Sequence, residues 1–92
     1  MTVEFRASFE KDVQAITDAR LLGRIEKTIA ILEAASSLVD LPQLKRLQGY
    51  STFYRIRIGD YRLGLNAEAD RITCVRCLHR REIYRYFPGA AA

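Results

Sequence analysis

Residues 51–79 read STFYRIRIGDYRLGLNAEADRITCVRCLH, and the alternation within this stretch decides the fold. Apolar and polar side chains change places every second residue, which is the period of a β-strand with one buried face. Tyr54, Ile56 and Ile58 fall on one side of a first strand, and Phe53, Arg55 and Arg57 on the other. Gly59-Asp60 has the composition of a tight hairpin turn, and NAEAD, residues 66–70, reads as a second turn. The stretch is therefore a three-stranded β-meander.

Before it, the period is different. TVEFRA, residues 2–7, alternates and reads as a first strand. Ser8 is placed to cap a short helix carrying Phe9, Val13 and Ile16. Asp18 is a second N-cap, after which Leu22, Ile25, Ile29 and Leu32 form one apolar stripe at helical spacing. Residues 9–35 are thus an αα-hairpin that fades at Ser36 and Ser37. A loop with Pro42 and LKRLQGY leads into the meander, and RREIYRYF after it fits a helical turn or two. The order is β-α-α-β-β-β with a short C-terminal helix. An α+β fold follows, with the helical hairpin packed on one face of a mainly antiparallel twisted sheet. Residues 1–92 read as a single domain, and 88–92 as a frayed tail.

Charge is spread unevenly over the chain. The formal net charge is +4, but residues 41–92 hold ten basic and four acidic side chains, against five and seven in residues 1–40. Twelve of the fifteen basic residues are arginine, whose planar fork of donors suits phosphate. A basic half of this kind points to a polyanion such as nucleic acid, or to an acidic protein segment. The plainer alternative is a solvated arginine-rich surface. No apolar run reaches the roughly 18 residues a membrane helix needs, so no membrane partner is expected. Charges near the start argue against a secretory signal and for a cytoplasmic protein. Cys74 and Cys77 make a C-x-x-C inside a strand, where positions three apart face opposite ways, so structural thiols are expected rather than redox or metal chemistry.

The arginines gather chemistry if the alternation holds. Arg55 and Arg57 stand on the face away from the helices, and Arg62 of the next strand joins them when Tyr61, Leu63 and Leu65 face inward. The chain's single histidine, His79, ends the third strand beside Arg80. A helical 80–87 puts Arg80 and Tyr84 on one side, with Ile83 and Phe87 as anchors. Residue by residue, the bland readings are solvated arginines, a surface histidine and a packing tyrosine. As a set, these groups fit a phosphate-handling site.

LKRLQGYSTFYRIRIGDYRLGL followed by VRCLHRREIYR resembles the RelE/ParE superfamily of bacterial toxins. The shared pattern is a Leu-x-Gly segment, a strand of alternating basic residues, a Gly-Asp-Tyr-Arg hairpin and a closing His-Arg-Arg-Glu-Ile-Tyr-Arg motif. It covers roughly residues 44–85; the first half matches in organisation only. The resemblance implies a type II toxin, an mRNA endoribonuclease that enters the ribosomal A site and needs no metal or other cofactor. Its reaction is attack of a ribose 2′-hydroxyl on the adjacent phosphate. By the same resemblance, Arg62, Arg80, Tyr84 and His79 are the catalytic candidates, and Arg55, Arg57, Arg81, Lys45 and Arg46 the RNA-phosphate contacts. Arginines are poor bases, so proton removal is left to His79 or Tyr84. The implied partners are a cognate antitoxin, the ribosome and mRNA. The alternative is a ParE-like poison of DNA gyrase, which binds that protein and cuts no RNA.

Overall fold

A computed structural model describes residues 1–41 and 43–89. The expectations for Pro42 and for the last three residues of the tail lie outside them. Among the described residues, five strands and three α-helices follow one another as β1 (Thr2–Phe5), α1 (Ala7–Gln14), α2 (Ala19–Ala34), β2 (Leu44–Arg46), β3 (Phe53–Ile58), β4 (Tyr61–Glu68), β5 (Arg71–His79) and α3 (Ile83–Tyr86), with a single 3-10 turn at Leu38–Asp40 before β2. The α+β reading with a helical hairpin holds. The sheet runs β1-β5-β4-β3-β2, antiparallel except that β1 lies parallel to β5.

One strand was not foreseen: β2, three residues within the expected loop, pairs with β3 from Leu44↔Ile56 to Arg46↔Tyr54. The Gly59-Asp60 turn is as read, with Gly59 at φ 59°. The second turn is tighter than NAEAD: β4 continues to Glu68, and Ala69-Asp70 alone make the reversal, with Ala69 at φ 53°. A positive φ at the first turn position is what lets a two-residue hairpin match the twist of its strands.

Helix starts divide in the same way. Asp18 caps α2, its carboxylate accepting from the amides of Arg20 (2.9 Å) and Leu21 (3.2 Å). Ser8 does not cap α1. The cap position is Arg6, and the Ser8 hydroxyl instead donates to the Val75 carbonyl at 2.6 Å. Beyond Cys74, β5 has no strand on its outer side, and α1 covers that edge. Backbone groups left bare at such an edge need partners. Ser8 satisfies one carbonyl, and Asp12 accepts from the Cys77 amide at 2.9 Å.

Two apolar clusters lie on the two faces of the sheet. The larger joins Phe9, Ile25 and Leu32 of the helices to Ile56, Ile58, Leu63, Leu65 and Ile72 of the strands. The smaller, Val75, Ile83 and Phe87 with Leu47, Phe53 and Leu78 around it, sits on the opposite face beneath α3. That face is therefore half covered rather than open. Burying both Ile83 and Phe87 contributes about 1.5–3 kcal/mol each and fixes α3.

A bulge in β5 sets the phase of its end. Gly64 pairs with Arg76 and Leu65 with Cys74, which leaves Val75 as the extra residue. One inserted residue reverses the facing of everything beyond it. Cys74 and Cys77 consequently both enter the main core, although regular alternation places them on opposite faces. Both are unpaired thiols, and burial pushes each up to about 12.

Candidate functional site

The site is built on β3 and β4. Arg57 lies directly across from Arg62, and Lys45 directly across from Arg55, so the pleat sends all four cations to the face away from α1 and α2. Gly64 stands opposite Arg55. A Cβ at Gly64 would come within 2.7–2.8 Å of the Phe87 ring, so its missing side chain is what lets α3 sit down beside the arginines. Phe87 packs edge-on against Phe53 at 5.6 Å, which ties α3 to the start of β3.

Arg62 is the best-held member. Its Nη1 donates to the carbonyls of Gly59 and Tyr61, both at 2.9 Å, which fixes the guanidinium over the hairpin turn. Burial lowers its pKa, and the charges of Arg55, Arg57 and Arg80 lower it further, while Tyr84 acts in the opposite direction. Those four residues are thus electrostatic neighbours of Arg62. Like charges held together without an anion repel, and an anion entering among them converts repulsion into charge-assisted hydrogen bonds.

Arg80 is exposed in the turn after β5, where its amide donates to Asp60 O at 2.7 Å and so fastens the turn to the β3–β4 hairpin. Tyr84 is 55% exposed on α3, one residue after the buried Ile83. Arg81 is exposed in the same turn. Its amide donates to His79 Nδ1 at 3.1 Å.

The structure does not bring His79 to this face. His79 pairs with Tyr61 across β4 and β5, their rings edge to face at 5.7 Å, and Tyr61 packs against the main core on the helical side. The cause is the Val75 bulge, which turns the last residues of β5 through one phase. Arg46 likewise pairs with Tyr54, on the helical side of the sheet, while Lys45 stays with the arginines.

Sequence reasoning missed the brace beneath α3. Arg76 donates from Nε and Nη2 to the two oxygens of Asp12, at 2.8 and 3.0 Å, and its guanidinium lies 5.3 Å from the centre of the Tyr86 ring. This hydrogen bond, followed by the Asp12 charge, raises the Arg76 pKa. One residue on β5 so links α1 to α3. The lone glycine inside β4 was the readable signal for the other missed feature, since glycine in a strand marks a close approach.

A sheet face carrying clustered guanidinium groups, with the exposed phenol of Tyr84 on the helix beside them, is the equipment of a protein that grips phosphate. A sequence profile for the ParE toxin of type II toxin-antitoxin system, parDE, matches residues 3–84. Toxin RelE3 of Methanocaldococcus jannaschii is 39% identical over 89 residues, which span 96% of this chain and 100% of that one. A crystal structure of the RelB-RelE antitoxin-toxin complex from Methanococcus jannaschii matches with a TM-score of 0.78 at 36% identity, over 92% of this chain and 99% of that chain. The YoeB dimer from Staphylococcus aureus matches in fold, with a TM-score of 0.70 at 16% identity, over 86% and 95% of the two chains. The chain belongs to the RelE/ParE superfamily of toxins of type II toxin–antitoxin systems.

Proposed function

We propose that this toxin, an mRNA interferase and so an endoribonuclease, cuts its strand on the Arg62 face without a metal ion. The carrying observation is that Arg57 lies directly across from Arg62 with Arg55 on the same face, and that α3, which carries Tyr84, is seated on that face against Gly64. Arg62, already oriented by two backbone carbonyls, holds a non-bridging oxygen of the scissile phosphate. Arg55 and Arg57 neutralise the charge that grows as the 2′-oxygen bonds to phosphorus. The 2′ proton passes to the oxygen of Tyr84, exposed on α3, acting as a phenolate that has first given its own proton to solvent. The bond from phosphorus to the 5′-oxygen breaks, and that oxygen leaves under a hydrogen bond from Arg80, taking its proton from solvent. The products are a 2′,3′-cyclic phosphate and a 5′-hydroxyl. His79, turned to the helical side, orients the turn that carries Arg80 and Arg81 rather than moving a proton.

The work is done in the cytoplasm at the ribosomal A site. Among the described residues no helix is long and apolar enough to cross a membrane. The partner in the resting state is a cognate antitoxin, as in the RelB-RelE complex of the Methanococcus relative. An acidic or amphipathic segment laid on the basic face would offset the arginine repulsion and exclude RNA.

A translation extract tests this reading. Added toxin should truncate messenger only on engaged ribosomes, leaving cyclic-phosphate ends. Arrested translation with intact messenger would remove the nuclease. Gyrase-dependent DNA breaks would install the reading that the ParE profile match motivates.

A further inference from the structure

We infer that the cleft between α2 and the β3–β4 turn is a second phosphate subsite, which takes another phosphodiester of the RNA strand lying on the Arg62 face. The inference rests on the RNA reading above and extends it to Arg24 and Gln43, which lie outside the motifs that carry the family resemblance. The cleft has a volume of about 270 Å³ and is lined by Arg24, Gln43, Arg57 and Gly59.

It exists because β2 is short. Among the described residues, pairing of β2 with β3 stops at Leu44↔Ile56, so from Arg57 onward β3 has no strand on its outer edge, while β4 stays paired on the other. On the far side, the Arg24 guanidinium leans over the turn. A Cβ at Gly59 would meet its Nη1 at 2.8 Å, and the φ of 59° also favours glycine there.

The lining residues are two arginines, a glutamine and a glycine, with no Asp or Glu among them. The ion pairs formed among the described residues are Arg71–Glu4, Arg76–Asp12 and Arg85–Glu82, and none involves Arg24 or Arg57. Two nearby acids need placing. Asp18 and Asp60 line the adjoining cleft on the other side of Arg24. Asp18 is engaged in capping α2, and neither carboxylate comes within the 4.0 Å of an ion pair with Arg24. The cleft is therefore a cationic recess without a counter-charge, the arrangement that draws in an anion.

Arg57 decides which anion. It is directly opposite Arg62 on the sheet and at the same time a wall of this cleft. A single arginine thus borders both places, and a ligand occupying them together must carry phosphates in series. An extended single strand does so, with its backbone following a groove of positive charge.

The test uses an RNA hexamer carrying a 2′-deoxy substitution at the scissile nucleotide, so that binding is read without cleavage. Affinity is measured by fluorescence anisotropy at several salt concentrations. Arg24→Gln should weaken binding about 5-fold or more and reduce the salt slope by about 0.7, the loss of one phosphate contact on a single strand. Methylphosphonate placed at each linkage in turn should reveal one position where wild type loses affinity and Arg24→Gln loses nothing further. Arg24→Lys, which keeps the charge, should restore most of the binding, and circular dichroism checks that α2 is intact.

An Arg24→Gln protein that binds as wild type does, while Arg62→Ala binds weakly, overturns the subsite alone. Equal, additive losses at every linkage also overturn it, because they reduce Arg24 to a general surface charge. If Arg24→Gln spares RNA and weakens only the antitoxin complex, the cleft belongs to that protein. Wild type that ignores the oligonucleotide at low salt overturns the subsite, and the RNA reading itself falls only if messenger on engaged ribosomes also stays intact.

Discussion

Asp12 of α1 and Arg76 of β5 meet in a two-pronged ion pair, and the same carboxylate also accepts the amide of Cys77. The side chains are 9% and 22% exposed. The pair fastens the first helix over the bare end of β5 and holds Arg76 where Tyr86 can lie against it. Removing one partner strands the other. Asp12→Ala should cost about 2–4 kcal/mol, since a guanidinium and a buried amide both lose their acceptor. The unfolding midpoint in urea measures this, and Asp12→Asn, which keeps one acceptor oxygen, should lose less.

Arg62→Ala and Tyr84→Phe should each lower ribosome-dependent cleavage on the order of 10²-fold or more, as expected for groups acting on the transition state. Quantified truncated messenger reads the effect. Arg62→Lys should not rescue it, because an ammonium cannot reach two turn carbonyls and a phosphate with one planar fork.

His79→Gln should leave cleavage within a few-fold of wild type, because the ring rests on Tyr61 away from the arginines. A loss as large as that of Tyr84→Phe in the same assay would return the role of base to His79.

How far the site could be read from sequence turns on this residue. The alternation of FYRIRIG placed Arg55 and Arg57 on the outer face, and the hairpin brought Arg62 to them, because period and turn chemistry are local properties. Cys77 was placed by carrying the same alternation along β5, and His79 by its position at the strand's end beside Arg80. The Val75 bulge breaks that alternation, and a bulge is set by the register with β4 rather than by residue type. The strand β2 escaped for a related reason. Three residues hold no period, and their pairing comes from β3. The brace between Asp12 and Arg76 joins residues 64 apart in the chain, beyond any spacing argument.

Gly64→Ala should destabilise the protein by about 1–3 kcal/mol, the usual cost of forcing a methyl into a filled space. The clash is with the Phe87 ring, which cannot rotate clear while Phe53 and Ile83 pack around it. Expulsion of α3 would also carry Tyr84 away from Arg62. Cleavage should therefore fall together with proteolytic resistance of the C-terminal segment, which limited digestion followed by mass spectrometry detects.

The thiols predict a pH effect with a definite sign. Burial raises Cys74 and Cys77 from the ordinary 9.0 to about 12, so the folded state keeps protons that the unfolded chain releases. The stability they contribute is complete below pH 9.0 and declines as pH rises toward about 12. Urea midpoints at pH 8 and pH 11 should fall less in a Cys74→Val, Cys77→Val variant than in wild type. At pH 8 the native thiols should resist a disulfide reagent until the protein unfolds.

The first strand lies parallel against the last, with both helices and three strands between them in sequence. Such a sheet has its slowest contact between the most distant parts of the chain, and nucleation must wait for that loop to close. A nascent toxin therefore has no assembled Arg62 face while β5 and α3 are still unmade. On the proposed reading the toxin is thus unable to cut until its chain is nearly complete, and its antitoxin has the interval of synthesis in which to arrive. A fragment ending at residue 70 should accordingly show neither a cooperative melt nor nuclease activity.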